Sequence, residues 1–162
     1  AGAYVVDPNG KPWRLGFMIA NEFSDHVMEK QNFLYLAPSK LRTCSIGPEL
    51  VAGGSFEDLS GSVHIERNGD TVWSKDVKSG EVNMSHSLAN LEHHHFKYDV
   101  HRHPGDAHVH FYGADAFSFG EGIALEVGDT MTIAWNGMGR PLRNTLAIDE
   151  GRNDFVAVEE IV

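Results

Sequence analysis

Four turn sequences, Asp7-Pro8-Asn9-Gly10, Asn68-Gly69-Asp70, Pro104-Gly105-Asp106 and Val127-Gly128-Asp129, constrain the fold most, because each adjoins a short run with strand character. Pro and Asn-Gly supply the dihedrals of tight turns. Tyr4 to Val6 and Trp13 to Ile19 therefore read as one hairpin. Ser62 to Arg67 and Thr71 to Lys75 alternate apolar and polar residues around Asn68-Gly69 and form a second. The remaining two turns introduce strands Ala107 to Tyr112 and Thr130 to Trp135, while Glu49 to Ala52 ends a strand that Gly53-Gly54 breaks. The best helix is Ser85 to Tyr98, with Asn83 or Ser85 as its N-cap and a face of Leu88, Leu91, His95 and Phe96 laid over a sheet. Phe23 to Leu36 reads as an irregular or short helical passage with Phe23, Val27 and Leu34 on its apolar side. Strands outnumber helices by several to one without βα alternation, so the expected class is a β-rich α+β domain.

At 162 residues, one domain spanning 1–162 removes about 70% of the extended chain's surface from water. The apolar fraction of 41%, with three Trp, nine Phe and four Tyr, supplies a core. Thirteen basic against 23 acidic residues give a formal charge of −10, which repels nucleic acid and anionic membranes; neither is expected as a partner. An anionic small substrate needs local positive charge, for which Lys40, Arg42, Arg140 and Arg143 are the candidates. Cys44 is the only cysteine, so an internal disulfide is excluded and a cytoplasmic setting is expected. No stretch approaches the roughly 18 apolar residues of a membrane-spanning helix.

Gly16-Phe17-Met18-Ile19-Ala20-Asn21-Glu22 is an apolar run that delivers a carboxylate at its end, and Ser39-Lys40-Leu41-Arg42-Thr43 follows with a lysine. A carboxylate closing a strand is costly to desolvate unless a cation or hydrogen-bond donors meet it. Glu22 is thus either an exposed strand-end glutamate or a ligand, and oxygen ligands favour Mg²⁺, Mn²⁺ or Ca²⁺. Lys40 is either a solvated surface lysine or an ammonium placed to neutralise charge developing on an enolate oxygen.

This segment, with Ser24-Asp25-His26 and Gly47-Pro48, resembles the fumarylacetoacetate hydrolase superfamily, whose pattern is an apolar strand ending in Gly-Asn-Asp, then Ser-x-Arg-Asp, then a lysine before a Gly-Pro turn. Asp25-His26 stands where Arg-Asp is common, and Asn-Glu-x-Ser-Asp-His is similar to a branch encoded beside bacterial sugar-acid catabolism genes. Gly137-Met138-Gly139-Arg140-Pro141-Leu142-Arg143-Asn144 resembles the family's closing Gly-x-Gly-x-Leu-Arg-Asn, so the likeness covers residues 4 to 147. It implies a mixed β-sandwich roll and a C-terminal portion of a longer catalytic chain, lacking an upstream Glu-x-Glu metal motif and therefore inactive alone.

The implied activity is that of a divalent-metal-dependent hydrolase or lyase, a dehydratase, acting on a 2-oxo acid through an enolate; the branch suggests a 2-oxo-3-deoxy sugar acid. The resemblance makes Glu22 a metal ligand for Mg²⁺ (or Mn²⁺ or Ca²⁺), Lys40 the catalytic lysine and Thr43 a substrate contact, with Cys44 competing for the threonine position. Tyr112-Gly113-Ala114 falls on the family's Gly-Thr-Pro substrate loop without its threonine, which leaves Tyr112 and Gly113 as the substrate-binding positions. The family's His and Glu base pair lies upstream, and His26 and Glu29 are local substitutes. Arg140 and Arg143 either bind a substrate carboxylate or pair structurally with Asp or Glu. A homodimer is expected.

Seven histidines, His93, His94, His95, His101, His103, His108 and His110, crowd into 18 residues. His108 and His110, two apart on a strand, face one side as in a cupin barrel, with Asp115 in the window of that pattern's glutamate. Glu92 and His95 have the spacing of carboxylate-bridged helical metal sites. The alternatives are a cupin-like His-metal enzyme, a non-catalytic β-rich binding domain, and histidines that merely pack under a lid or at a subunit contact.

Overall fold

The computed structural model describes residues 1–114, 116–151 and 155–161. Eight strands, β1 (Gly2–Val6), β2 (Pro12–Asn21), β3 (Ser45–Ala52), β4 (Leu59–Arg67), β5 (Asp70–Ser79), β6 (Ala107–His110), β7 (Thr130–Trp135) and β8 (Leu142–Thr145), form two four-stranded sheets. Their orders are β3-β2-β1-β6 and β5-β4-β7-β8, and every pairing is antiparallel. This is the β-rich α+β sandwich that the turns and the resemblance imply.

The β4–β5 hairpin turns on Asn68 at φ 54° and Gly69 at φ 91°, the two consecutive positive values that a two-residue turn matched to strand twist requires. Gly16 serves a close approach: an added Cβ would overlap the Val51 carbonyl oxygen of the neighbouring strand. Gly47-Pro48 does not form a turn. Both residues lie inside β3, joined by a cis peptide, where the β2–β3 register slips between Met18 and Ala20.

Side-chain alternation gives each sheet one apolar face, and the two faces meet. Phe17 and Ile19 from β2, Ile133 from β7 and Leu142 from β8 interlock with Phe56, Leu88 and Met138. The helix α3 (Leu88–Phe96) covers the same face of the first sheet over β1 and β6, with the Phe96 ring 5.4 Å from Tyr4. It starts later than its sequence suggests. Ser87 is the cap, accepting from Asn90 N–H, and the Leu88 N–H donates to the Glu81 carboxylate at 2.7 Å. Asn83 instead bonds Asp58 and the Ser79 carbonyl from a 3₁₀ turn. β6 likewise stops at His110, leaving Tyr112 on the following loop.

Phe23 to Leu36 is the irregular passage expected: helix α1 (His26–Glu29), a 3₁₀ turn, and helix α2 (Leu36–Ser39). Val27, Phe33, Leu34, Leu36 and Leu41 are exposed along it. Among the described residues, no helix is long and apolar enough to cross a membrane.

Candidate active site

A cavity of about 880 Å³ opens between the sheets and the α1–α2 passage. Its polar lining includes Glu22, His26, Glu29 and Lys40, and Tyr112 and Gly113 line it as well. The floor is aromatic: Phe17 and Phe56 stack at 4.7 Å, and Tyr112 lies 4.8 Å from Phe56.

The backbone is fixed on both sides of this part of the cavity wall. β2 ends at Asn21, whose amide donates to Asn144 Oδ1 at 3.2 Å; the Ser45 hydroxyl, at the start of β3, donates to the same oxygen at 2.7 Å. Asn144 of the closing motif thereby holds together the two strand ends that flank Glu22 and Lys40. Beyond Glu22, Asp25 caps α1 by accepting from Met28 N–H at 2.9 Å and takes the Arg42 guanidinium at 2.6 Å. The Met28 N–H and then Arg42 hold the Asp25 carboxyl below its usual range. Asp25 N–H also donates to the carbonyl of the fully buried Ser39, so the segment carrying Lys40 is tied to the segment carrying Glu22.

The result is convergence. Lys40 Nζ lies 3.3 Å from Glu22 Oε2 and donates to Ser24 Oγ at 2.5 Å. Both side chains of the ion pair are more than a third exposed, so the pair adds little to stability and matters for where it sets its charges. His26 Nδ1 and Glu29 Oε2 are 3.1 Å apart in a second pair on the same wall. The His26 ring stacks on Phe119 and meets Phe117 edge-on, each at 4.9 Å. Sequence reasoning missed these two aromatics; the only signal was the alternation in Phe117-Ser118-Phe119.

Other candidates lie elsewhere. Thr43 is exposed and is not among the residues that line the cavity. Arg140 pairs with Glu49 at 2.8 Å and Arg143 with Glu66 at 2.6 Å, the structural alternative for both, and Arg42 is engaged by Asp25. Lys40 is thus the one Lys or Arg among the described residues of the wall. Tyr112 shares a 2.6 Å hydrogen bond with Tyr4, which donates to Glu92 at 2.7 Å, and Arg14 also binds Glu92. Both partners meet Glu92 at Oε1, and among the described residues Glu92 joins no group of three metal-ligating side chains with His95. Asp115, the acidic member of the cupin alternative, lies outside the described residues.

Glu22 presents one carboxylate to the cavity, a type of ligand that Mg²⁺ accepts while keeping waters. Among the described residues no group of three acidic or thiol side chains surrounds it. The chemistry of Glu22 fits one ligand position of a Mg²⁺ site.

No family model matches the chain. Over 73 residues it is 34% identical to a probable 2-keto-3-deoxyxylonate dehydratase of Haloferax volcanii, covering 42% of this chain and 25% of that protein. A hexagonal crystal form of 2-keto-3-deoxyarabinonate dehydratase superposes with a TM-score of 0.63 at 23% identity, over 89% of this chain and 50% of that one. A 2-keto-3-deoxy-D-arabinonate dehydratase complexed with magnesium and 2,5-dioxopentanoate gives 0.62 at 22%, with the same coverage. The shared fold is this two-sheet architecture. The chain spans about half the length of these solved structures, and the alignment with the curated relative covers a quarter of that protein.

Proposed function

We propose that this chain is part of a divalent-cation-dependent dehydratase of the fumarylacetoacetate hydrolase type, acting on a 2-oxo-3-deoxy sugar acid. The observation that carries the reading is the meeting of Glu22 and Lys40, 3.3 Å apart and 18 positions apart in sequence, on one cavity with Tyr112 and Gly113. The fold shared with two dehydratase structures, one holding magnesium and a dioxo acid, supports it, as does the 34% identity to a third dehydratase.

In such a substrate, C3 lies between the oxo group and the hydroxyl-bearing C4. Removing a C3 proton forms an enolate; the C4 hydroxyl takes up one proton and leaves as water, giving a C3–C4 double bond. In a pentonate, loss of a C5 proton with reprotonation at C3 then gives a C4–C5 enol that ketonises to the aldehyde of a dioxo acid. Lys40 provides a fixed positive charge for the enolate oxygen, which is worth most where water is excluded. His26, backed by Glu29, is the group within the cavity able to take the C3 proton. Phe117 and Phe119 hold its ring, and Tyr112 and Gly113, which line the same cavity, bound the substrate. Thr43 contacts substrate only if its loop closes. Mg²⁺ (or Mn²⁺ or Ca²⁺), held in part by Glu22, would polarise the 2-oxo acid as a Lewis acid.

The remaining ligands are expected from an upstream Glu-x-Glu segment, and the 162 residues alone are expected to be inactive. The apolar residues exposed on the α1–α2 passage support a homodimer, and the single Cys44 accords with a cytoplasmic setting. The test is turnover of a 2-oxo-3-deoxy pentonate with Mg²⁺ by this chain joined to its upstream segment. Release of a dioxo acid and water, lost in Lys40→Met, upholds the proposal. Cleavage of a carbon–carbon bond instead would make it a hydrolase. Absence of both turnover and oxalate binding would leave a binding domain.

A further inference from the structure

β6 projects His108 and His110 from one face, and its register sets them opposite Tyr4 and Gly2 of β1. α3 crosses that face and brings down His95. One ring nitrogen from each of His95, His108 and His110 lies within 4.8 Å of the other two, and His95 Nε2 is 3.2 Å from His108 Nδ1. Tetrahedral coordination at about 2.0–2.1 Å sets ligand nitrogens roughly 3.3 Å apart, so small side-chain rotations bring the three into range. Nε2 of His110 is buried without a hydrogen-bond partner, a condition that ligation through that atom relieves.

We infer that His95, His108 and His110 form a binding site for a transition-metal cation of the zinc class, separate from the Glu22–Lys40 cavity. The donor set is all nitrogen: among the described residues, the group of candidate ligand atoms is these three imidazoles and no carboxylate. Imidazoles select Zn²⁺, Ni²⁺, Cu²⁺ or Co²⁺ over Mg²⁺, so the site does not compete for the cation proposed at Glu22. His101 stacks on His95 at 4.2 Å and its Nδ1 lies 2.8 Å from the His95 carbonyl, which holds the ligand ring from outside the triad. A bound cation pins α3 to β6. His110 packs on Tyr4 at 4.6 Å, so the clamp also buttresses the tyrosine that bonds Tyr112 at the cavity wall.

The test titrates the full chain, first stripped with chelator, with Zn²⁺ and with Co²⁺. One equivalent of each is expected to bind, Co²⁺ with the intense visible absorption of tetrahedral geometry, and saturating Zn²⁺ to raise the thermal midpoint by about 5 °C or more. His95→Ala and His108→Ala should each abolish stoichiometric binding, whereas His93→Ala/His94→Ala, which removes exposed histidines, should retain it. Binding that survives both single substitutions, or no stoichiometric binding at all, overturns the inference. Should the single variants fail to fold, X-ray absorption of the zinc-loaded wild-type chain decides: three imidazole ligands uphold the site and fewer overturn it.

Discussion

Lys40 Nζ sits 3.3 Å from Glu22 Oε2, although the two residues leave different elements and their side chains are partly solvated. An exposed pair of this kind contributes little to folding, so its removal should separate function from stability. Lys40→Met is expected to lower kcat by about 10²- to 10³-fold, the range for losing one preorganised charge stabiliser. KM should change little and the thermal midpoint should stay close to wild type. Steady-state kinetics on the intact enzyme with a 2-oxo-3-deoxy acid, beside a melting curve, checks both. A collapse of the fold would assign Lys40 to structure.

Glu22→Gln keeps the shape of the side chain and removes the charge. Its expected effect falls on the cation: weaker Mg²⁺ binding by the intact enzyme, with activity partly recovered at high Mg²⁺. Calorimetric titration of Mg²⁺ with oxalate, a stable mimic of a 2-oxo acid enolate, checks this. Unchanged affinity would remove Glu22 from the ligand set.

The His26–Glu29 pair makes a separate prediction. His26→Gln should reduce turnover about 10²- to 10⁴-fold, the usual contribution of a positioned base, and Glu29→Gln less. Exchange of C3 protons into deuterated water, followed by NMR, isolates the proton-transfer step. Exchange that persists in His26→Gln at the wild-type rate would point to a base from another segment.

The sheets meet through Ile19 and Ile133, both buried in one cluster, so truncation leaves a cavity that neither sheet can readily fill. Each Ile→Ala substitution is expected to cost about 2–5 kcal/mol, with Ile19→Ala nearer the top because Ile19 is 1% exposed. Urea denaturation measures it. Val72→Ala, an exposed strand position, serves as a control expected to stay within about 0.5 kcal/mol.

The hairpins were readable because Asn68-Gly69 admits one tight turn and the flanking alternation admits one register. The start of α3 was not: Asn83, Ser85 and Ser87 offer similar cap chemistry within five residues, and the choice of Ser87 goes with the long-range reach of Glu81 to the Leu88 N–H. Local periodicity likewise says nothing about whether Glu22 meets Lys40. That proximity depends on Asn144 and Ser39, one distant in sequence and the other buried by tertiary packing, so only the family resemblance anticipated it. Strand alternation placed His108 and His110 on one face, but the arrival of His95 depends on how α3 crosses β6.

Asp129 gives a pH prediction whose direction follows from its partners. The side chain is 1% exposed, accepts two hydrogen bonds from Arg67 at 2.7 and 2.8 Å, and accepts a third from Glu126 N–H at 2.8 Å. Arg67 is the main reason its folded-state pKa falls below the ordinary 3.8, with burial opposing. In the unfolded chain the carboxyl regains that ordinary value, so on acidification the unfolded state takes up the proton first. The contribution of Asp129 is therefore fully present above pH 3.8 and is lost as the pH falls through the depressed folded-state value. Asp25, Glu49 and Glu121 are depressed in the same sense, so the wild-type acid transition is a sum. Asp129→Asn removes one member of that sum. The variant should be less stable than wild type at neutral pH, and the gap should narrow as the pH falls below 3.8, across roughly pH 4 to pH 2. Urea midpoints for both proteins across that interval measure the difference; a constant gap would mean that Asp129 keeps its ordinary pKa and that the Arg67 contact contributes only packing.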